Sequence, residues 1–391
     1  MSTYQLTDEQ ISLKQAAKVF AKKVLFNQAI KIEREGKDFP VEVLEQMGEL
    51  GYLGLDIPEE YGGQGFDTLT SAVISEEISG AWFSAASYAM TLATGPILAL
   101  GTEEQKKQIL PPLCKGKLVT AFALTEEIGG SDAASIQTFA IRSGSDYIIN
   151  GTKVFITNAH RADVLIVFAR TSKTAIRGEG ISIFLVEKGA KGLSIGQRFK
   201  TMGHSANPIW EVLFKDCRIP ANNMLGEEGQ GFKYLQKDFS KIRAVYGARC
   251  VGVSQWAIDY ALSYAQKRIQ FTKPVSSFQG IRFKVADIIT KIEAARQLSY
   301  RAAVIADKGD VEAPIAASMA KHFASDVSLE ATSEAIQIMG GHGYLSDHPL
   351  ERMFREVKLF QIGDGTSEML RILISRFANQ AVENGKSAQL S

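Results

Sequence analysis

The sequence is poor in cysteine, has almost no net charge, and lacks the short motifs that announce several common enzyme chemistries. Its three cysteines, Cys114, Cys217 and Cys250, are odd in number and far apart, with no CxxC or Cys/His spacing. This excludes a disulfide framework and a structural zinc site, so a reducing compartment, the cytoplasm, fits best. Acidic and basic residues nearly cancel, 43 against 44, and no dense Lys/Arg run occurs. Neither nucleic acid nor an anionic membrane is therefore an expected partner. There is no GxxxxGK, and no GxGxxG between a strand and a helix, which leaves a P-loop or a Rossmann dinucleotide site unsupported. GxSxG and HExxH are missing and the five histidines are scattered, which removes the hydrolase and metal-enzyme readings. The opening "MSTYQLTDEQ" has no basic region followed by an apolar run and no Arg/Ser-rich amphipathic stretch, so no secretory or organellar address is expected.

What is present is an ordinary globular composition, 45% hydrophobic and 22% charged over 391 residues, enough for roughly two or three compact units. The first third reads helical. Thr7 and Gln10 form a capping box, and Ile11, Leu13, Ala17, Phe20 and Val24 fall on a stripe of helical period. A second helix is expected from Val41 to Gly51, then a loop, "IPEEYGGQG". The uncharged stretch Ile78 to Thr102 carries Ser, Thr, Gly and Pro96 and is flanked by glutamates. It reads as a buried helix pair or the floor of an apolar pocket, not a membrane span. "GTEEQKKQILPPL" should begin a short helix that stops at Pro111.

Near Ala121 the texture changes to alternating and short apolar runs: "ASIQTFAI", "YIINGTKVFI" with Asn150-Gly151 at its centre, "VLIVFA", "ISIFLV" and "WEVLFKDCRI". This is an all-β unit. From Phe232 onward long helices return, about four of them, as in a bundle. The expected architecture is α+β in three domains: an N-terminal helical domain (1–120), a middle β-barrel or sandwich domain (121–231) and a C-terminal four-helix bundle (232–391).

Polar clusters sit at the edges of the β unit. "AFALTEEIGGSD" opens from a strand into a loop with Gly129, Gly130 and Ser131, leaving backbone N–H groups free for an oxygen-rich or heteroaromatic ligand. "VFITNAH" puts Phe155 and Thr157 on the same side of a strand, a stacking ring beside a donor, which suits a planar cofactor. Near the C-terminal end, "QIGDGTSEML" sets Asp364 between two glycines, where a side chain is aimed rather than packed.

These motifs, in order with "RIQFTKP", "FQGIRFKVADI", "QIMGGHGY" and "GDGTSEMLRILISR", resemble those of the flavin-dependent acyl-CoA dehydrogenases, from about Leu6 to Ala378. The resemblance implies FAD between the β domain and the bundle, with its nucleotide end reaching a neighbouring subunit of a homotetramer. Phe122, Leu124 and Thr125 would line the isoalloxazine, Ser131 would meet flavin and thioester arm, and Phe155 and Thr157 would cover the ring. Arg268, Phe271 and Gln279, with Gln337, Gly340 and Gly341, would hold pyrophosphate and adenosine from the partner subunit. Thr366 and Glu368 would contact FAD near the active residue, and Ser131, Ser240, Arg243 and Gly365 would face the acyl-CoA substrate. The resemblance also implies an electron-transfer flavoprotein as electron acceptor.

At the position of Asp364 most of that family carries glutamate, the base that takes a proton from the carbon next to the thioester carbonyl. A subgroup places its glutamate at the position of Ile242, which cannot take a proton. Asp364 is thus the expected catalytic residue. Aspartate is shorter by one methylene, about 1.5 Å of reach, so the α-carbon must lie closer. A ring or branch there, as in cyclohexane-1-carboxyl-CoA, is one use of the extra room, and Gly363 clears space as well. Other departures are Glu127 and Ile128 in the glycine loop, Phe155 for the usual tryptophan, Thr272 after Phe271, and Ser240 for a frequent aspartate. A nitroalkane-oxidase-like enzyme with an aspartate base, or a catalytically silent flavoprotein, stays open as an alternative.

Overall fold

The computed structural model describes residues 5–90, 92–172, 178–385 and 387–390, apart from the side chains of 236–238. Thr7 opens the first helix: its Oγ1 accepts from the Gln10 N–H at 3.2 Å, and Gln10 Oε1 accepts from the Thr7 N–H at 3.0 Å. The closed box satisfies two N–H groups that a helix start leaves without partners. α1 (Asp8–Phe20) passes through a π-helical stretch, Ala21–Leu25, into α2 (Phe26–Glu35). Ile11 is not on the buried stripe; it is 53% exposed. Gln10 faces inward instead, donating to Thr70 Oγ1 at 3.0 Å, and this turns its neighbour outward.

After α3 (Val41–Glu49), α4 (Thr68–Ala81) is buried along its whole length, which is why it shows no amphipathic period in sequence. The uncharged stretch beyond it folds as two short helices, α5 (Phe83–Ala89) and α6 (Thr94–Leu100), and 65% of the window Phe83–Leu100 is buried. α7 (Glu103–Cys114) does not stop at Pro111 but runs through both prolines. Each proline forfeits one helical hydrogen bond, yet Ile109, Leu110, Leu113 and Cys114 are all buried in the core beneath the sheet, and this packing carries the last turn.

The β unit contains β1 (Thr120–Ala123), β2 (Phe139–Ser143), β3 (Asp146–Thr157), β4 (Val164–Arg170), β5 (Ile181–Glu187), β6 (Leu193–Phe199), β7 (Ile209–Pro220) and β8 (Met224–Leu225). They form one sheet in the order β6-β7-β3-β2-β4-β5-β8, with β1 parallel to β4. Inward residues of β1 to β5 and β7 share one core, while the other face of β4 and β5 packs with α7. The Asn150-Gly151 pair is not a turn. β3 runs straight through it, and the hairpin reverses earlier, where Ser143 faces Asp146. Gly151 serves a close approach instead: at φ 148°, a Cβ there would come 2.4 Å from Thr138 Oγ1.

The C-terminal part consists of α8 (Gly231–Lys267), the ribbon β9 (Ile269–Gln270) and β10 (Lys273–Pro274), α9 (Gln279–Asp307), α10 (Ala313–Met339), α11 (Pro349–Val357) and α12 (Ser367–Glu383). α11 adds a fifth helix to the expected four; its Leu350, Met353 and Val357 are buried in the bundle core. α8 lies directly on α4 at Gly252, where a Cβ would come 1.9 Å from Glu76 O. That contact seats the N-terminal helices on the bundle.

Candidate active site

Asp364 lies in the tight link between α11 and α12. A 3-10 turn, Lys358–Gln361, ends with the N–H groups of Ile362 and Gly363 both donating to Leu359 O, at 2.9 and 2.8 Å. Asp364 then takes a left-handed conformation, φ 55°, and Gly365 follows at φ 102°. Among non-glycine residues aspartate and asparagine tolerate the left-handed region best, so the shorter acid suits this turn. Thr366 caps α12, its Oγ1 accepting from the Met369 N–H at 3.3 Å. Gly365 is required twice over: its φ disfavours any side chain, and a Cβ would sit 3.1 Å from Arg243 Nη2. Gly363 is less demanding than the sequence suggests, because a Cβ there would make only ordinary contacts, 3.6 Å from Tyr246 Oη and from Leu359 O.

The link is gripped from two helices. From α10, Lys321 Nζ donates to Gly363 O at 2.8 Å and to Gly365 O at 2.7 Å, and Ser325 Oγ donates to Phe360 O at 3.0 Å. From α8, Arg243 Nε donates to Asp364 O at 3.2 Å. Among the described residues none donates a hydrogen bond to the Asp364 carboxylate, and none accepts from its N–H. A half-buried acid and the amide beside it are thus both available to a ligand.

Burial pushes the Asp364 carboxyl above the usual aspartate range, and the charges of Lys321, Arg249 and Arg243 pull it back. The same surroundings lower Lys321 to about 8, through burial opposed mainly by Asp364. Burial, with Asp364 adding to it, holds the Tyr246 hydroxyl far above its ordinary value. An aspartate ordinarily titrates near pH 4, too weak a base for a carbon acid; desolvation moves it toward the neutral range, where general bases work best.

The residues expected on the flavin side form a second group along the sheet edge. β3 carries a register shift between Lys153 and Ile156, and within it Phe155 adopts φ 59°. Its ring is 52% exposed and lies 5.1 Å from the ring of Phe199. Thr157 follows on the same side, half-buried. Phe122 packs inward at 5.0 Å from Phe168, Leu124 O accepts from Lys153 Nζ at 2.9 Å, and Thr125 O accepts from the Val154 N–H at 2.9 Å. Lys153 and Glu126 form a buried ion pair at 2.7 Å, and Glu126 also accepts the N–H groups of Gln137 and Thr138. That pair closes the base of the loop carrying exposed Ile128, open Gly130 and exposed Ser131. An apolar ring held outward in a strained conformation, beside an open glycine loop, fits a flat aromatic cofactor.

The third group stands apart. Gln337, Gly340 and Gly341 lie at the far end of α10; Gln337 is sixteen residues beyond Lys321, about 24 Å along the axis. Arg268, Phe271 and Gln279 are exposed near the β9–β10 ribbon, and Phe271 is 85% exposed. Tyr264 Oη bonds His342 Nδ1 at 3.0 Å and ties the end of α8 to this corner. One chain therefore does not bring these six residues to Asp364. Of the residues expected to face the substrate, Ser240 is buried in α8 and Arg243 is half-buried with its guanidinium 5.1 Å over the Phe239 ring. Glu368 is exposed in the first turn of α12 and pairs with Arg371 at 3.3 Å, while Ile242 is half-buried against an apolar core.

Sequence reasoning missed Lys321, Tyr246 and Arg249. Arg249 is buried, with Nη2 donating to Met90 O at 2.8 Å and Nε without a partner among the described residues. The available signal was a charge inside a run of small residues, as in "AASMAKHFAS" around Lys321.

Profiles of three acyl-CoA dehydrogenase domains match this chain: the N-terminal domain over residues 7–117, the middle domain over 121–217 and the C-terminal domain over 229–378. An acyl-CoA dehydrogenase of Bacillus subtilis (strain 168) is 39% identical over 377 residues, covering 95% of this chain and 98% of its own length. Cyclohex-1-ene-1-carbonyl-CoA dehydrogenase of Syntrophus aciditrophicus (strain SB) is 39% identical over 375 residues, 95% of this chain and 90% of its own. The solved structure of butyryl-CoA dehydrogenase from Megasphaera elsdenii has a TM-score of 0.90 at 37% identity and covers 95% of this chain and 98% of that one. The chain belongs to the acyl-CoA dehydrogenase family and is an FAD-dependent oxidoreductase acting on an acyl-CoA thioester.

Proposed function

We propose that Asp364 is the base that removes the α-proton of the acyl-CoA, and that the preferred acyl group carries a ring or branch at that carbon, as in cyclohexane-1-carboxyl-CoA. The observation that carries this reading is the Asp364 link itself: a desolvated carboxylate with no donor on it, next to an N–H with no acceptor, among the described residues. The N–H can donate to the thioester oxygen and stabilise the negative charge that grows there as the α-proton leaves. The carboxylate takes that proton. FAD, when bound, supplies the hydride acceptor for the neighbouring carbon. Phe155, Thr157 and the loop to Ser131 orient the ring system and help to keep water from it. The short side chain leaves extra room between base and flavin, and the similarity to a cyclohexene-carbonyl-CoA dehydrogenase favours filling it with a ring.

Arg268, Phe271, Gln279, Gln337, Gly340 and Gly341 would hold the nucleotide end of FAD belonging to a neighbouring subunit of a homotetramer. Arginine suits this because its fork gives two parallel charge-assisted bonds to phosphate oxygens. Electrons would pass on to an electron-transfer flavoprotein in the cytoplasm. The test is a screen of straight, branched and cyclic acyl-CoAs with an artificial electron acceptor, run beside Asp364→Asn. Faster turnover of butyryl- or octanoyl-CoA than of any cyclic thioester would remove the substrate assignment; full activity of Asp364→Asn would remove the base.

A further inference from the structure

We propose that Lys321 is a positioning residue for the Asp364 base: its ammonium clamps the carbonyls on either side of Asp364 and keeps a positive charge beneath the carboxylate. The inference rests on Asp364 being the base and adds a residue the sequence reading did not contain.

The geometry is specific. Lys321 is 0% exposed, in a helix whose neighbouring turns are built of alanine and serine. A buried ammonium is tolerated only where its N–H groups find partners and its charge is answered. Two of its three donors go to Gly363 O and Gly365 O, at 2.8 and 2.7 Å. Drawing the carbonyls before and after one residue to a single point pushes that residue outward, which matches the left-handed φ of 55° at Asp364. Ser325, one turn on, takes Phe360 O, and Gln361 Nε2 donates to Asp326 Oδ1 at 2.6 Å, so one face of α10 straps the whole link.

The charge faces the site. The groups around the Lys321 ammonium are Asp364 from the link, Cys250 and Arg243 from α8, and Asp326 from its own helix; Tyr246 presents its ring 5.5 Å away. Those around Asp364 are Lys321 from α10 and Arg243, Tyr246 and Arg249 from α8. Cys250 is itself held neutral, its thiol pushed up to about 12 by burial. Asp364 is thus the main anion that answers Lys321, ahead of Asp326, and the lysine favours the ionised carboxylate that can accept a proton. A methionine would fill the same space with neither the clamp nor the charge.

The experiment compares Lys321→Met and Lys321→Arg with the unmodified holoenzyme. Two readouts are taken across pH, with butyryl-CoA and cyclohexane-1-carboxyl-CoA as probes: deuterium uptake at the α-carbon in D2O, and anaerobic bleaching of bound FAD. Lys321→Met is expected to retain FAD and lose roughly ten- to a hundredfold in both rates, the size expected when a base is misplaced by about 1 Å. Its acid limb should move to higher pH, because without the cation the carboxylate keeps its proton longer. Lys321→Arg should keep the limb while losing part of the rate, since a guanidinium cannot set one nitrogen between both carbonyls. Unchanged rates in both variants, a rate loss with the limb unmoved in Lys321→Met, or loss of FAD together with activity would make Lys321 a packing residue and overturn the proposal. If Lys321→Met does not fold, Lys321→Arg decides alone: an unaltered rate overturns it, a reduced rate with retained FAD and limb supports it. Asp364→Asn run in parallel separates the two claims. Activity in that variant would end the reading of Asp364, whereas an inactive Asp364→Asn beside a normal Lys321→Met would end only the clamp.

Discussion

Lys153 and Lys321 are both completely buried, and they are used in opposite ways. Lys153, on β3, meets a carboxylate directly: Glu126 lies 2.7 Å away and is held by two backbone N–H groups. Lys321, on α10, bonds two carbonyl oxygens, and the anion it faces, Asp364, has no hydrogen bond on its carboxylate from the described residues. Burial lowers both lysines to about 8. The first arrangement is closed and holds the glycine loop after β1 in shape. The second leaves an acid without a hydrogen-bond donor among the described residues, which is what a base would need before its substrate arrives.

The contrast can be broken or sharpened by substitution. The largest effect is expected from Asp364→Asn, which should lose on the order of a thousandfold or more in turnover while keeping FAD, as read from steady-state rates and the yellow absorbance. Lys153→Met should act on stability, leaving Glu126 as a buried unpaired charge and costing about 3–5 kcal/mol in denaturant unfolding; a change below about 1 kcal/mol would mean that the two lysines do not differ as described. Asp364→Glu should shift the preference between straight-chain and cyclic thioesters by up to about a hundredfold toward the straight chain, since the longer arm closes the gap by roughly the distance that matters. Gly365→Ala should cost about 1–3 kcal/mol through its φ and the crowding of Arg243, measured as a lower melting temperature. The mildest test is pH. If Asp364 is the base, it must be ionised to act, and its proton affinity is raised in the folded protein, so activity should fall with acidification at a pH above the ordinary aspartate range.

Much of the fold was legible because local chemistry is written in order. The Thr7 box, the switch from helical to alternating period near Ala121 and its return near Phe232 all depend on neighbours within a few residues. Local reading misled where packing outweighed it. Pro111 and Pro112 stay helical because the helix end is buried, Asn150-Gly151 stays in a strand because Thr138 needs the space, and Ile11 points outward because Gln10 found Thr70. α11 went unread, being only nine residues long and starting at Pro349.

The candidate site divides along the same line. The sequence by itself determined that a short acid stands between two glycines, that a ring and a hydroxyl share one face of a strand, and that the motifs follow one family's order. Only the tertiary structure decided what surrounds that acid. Lys321 precedes Asp364 by more than forty residues, Arg243 by more than a hundred, and Met90, which anchors Arg249, lies farther still. Burial and opposing charges set a proton affinity, and both are properties of groups brought together across helices, which no spacing along the chain records.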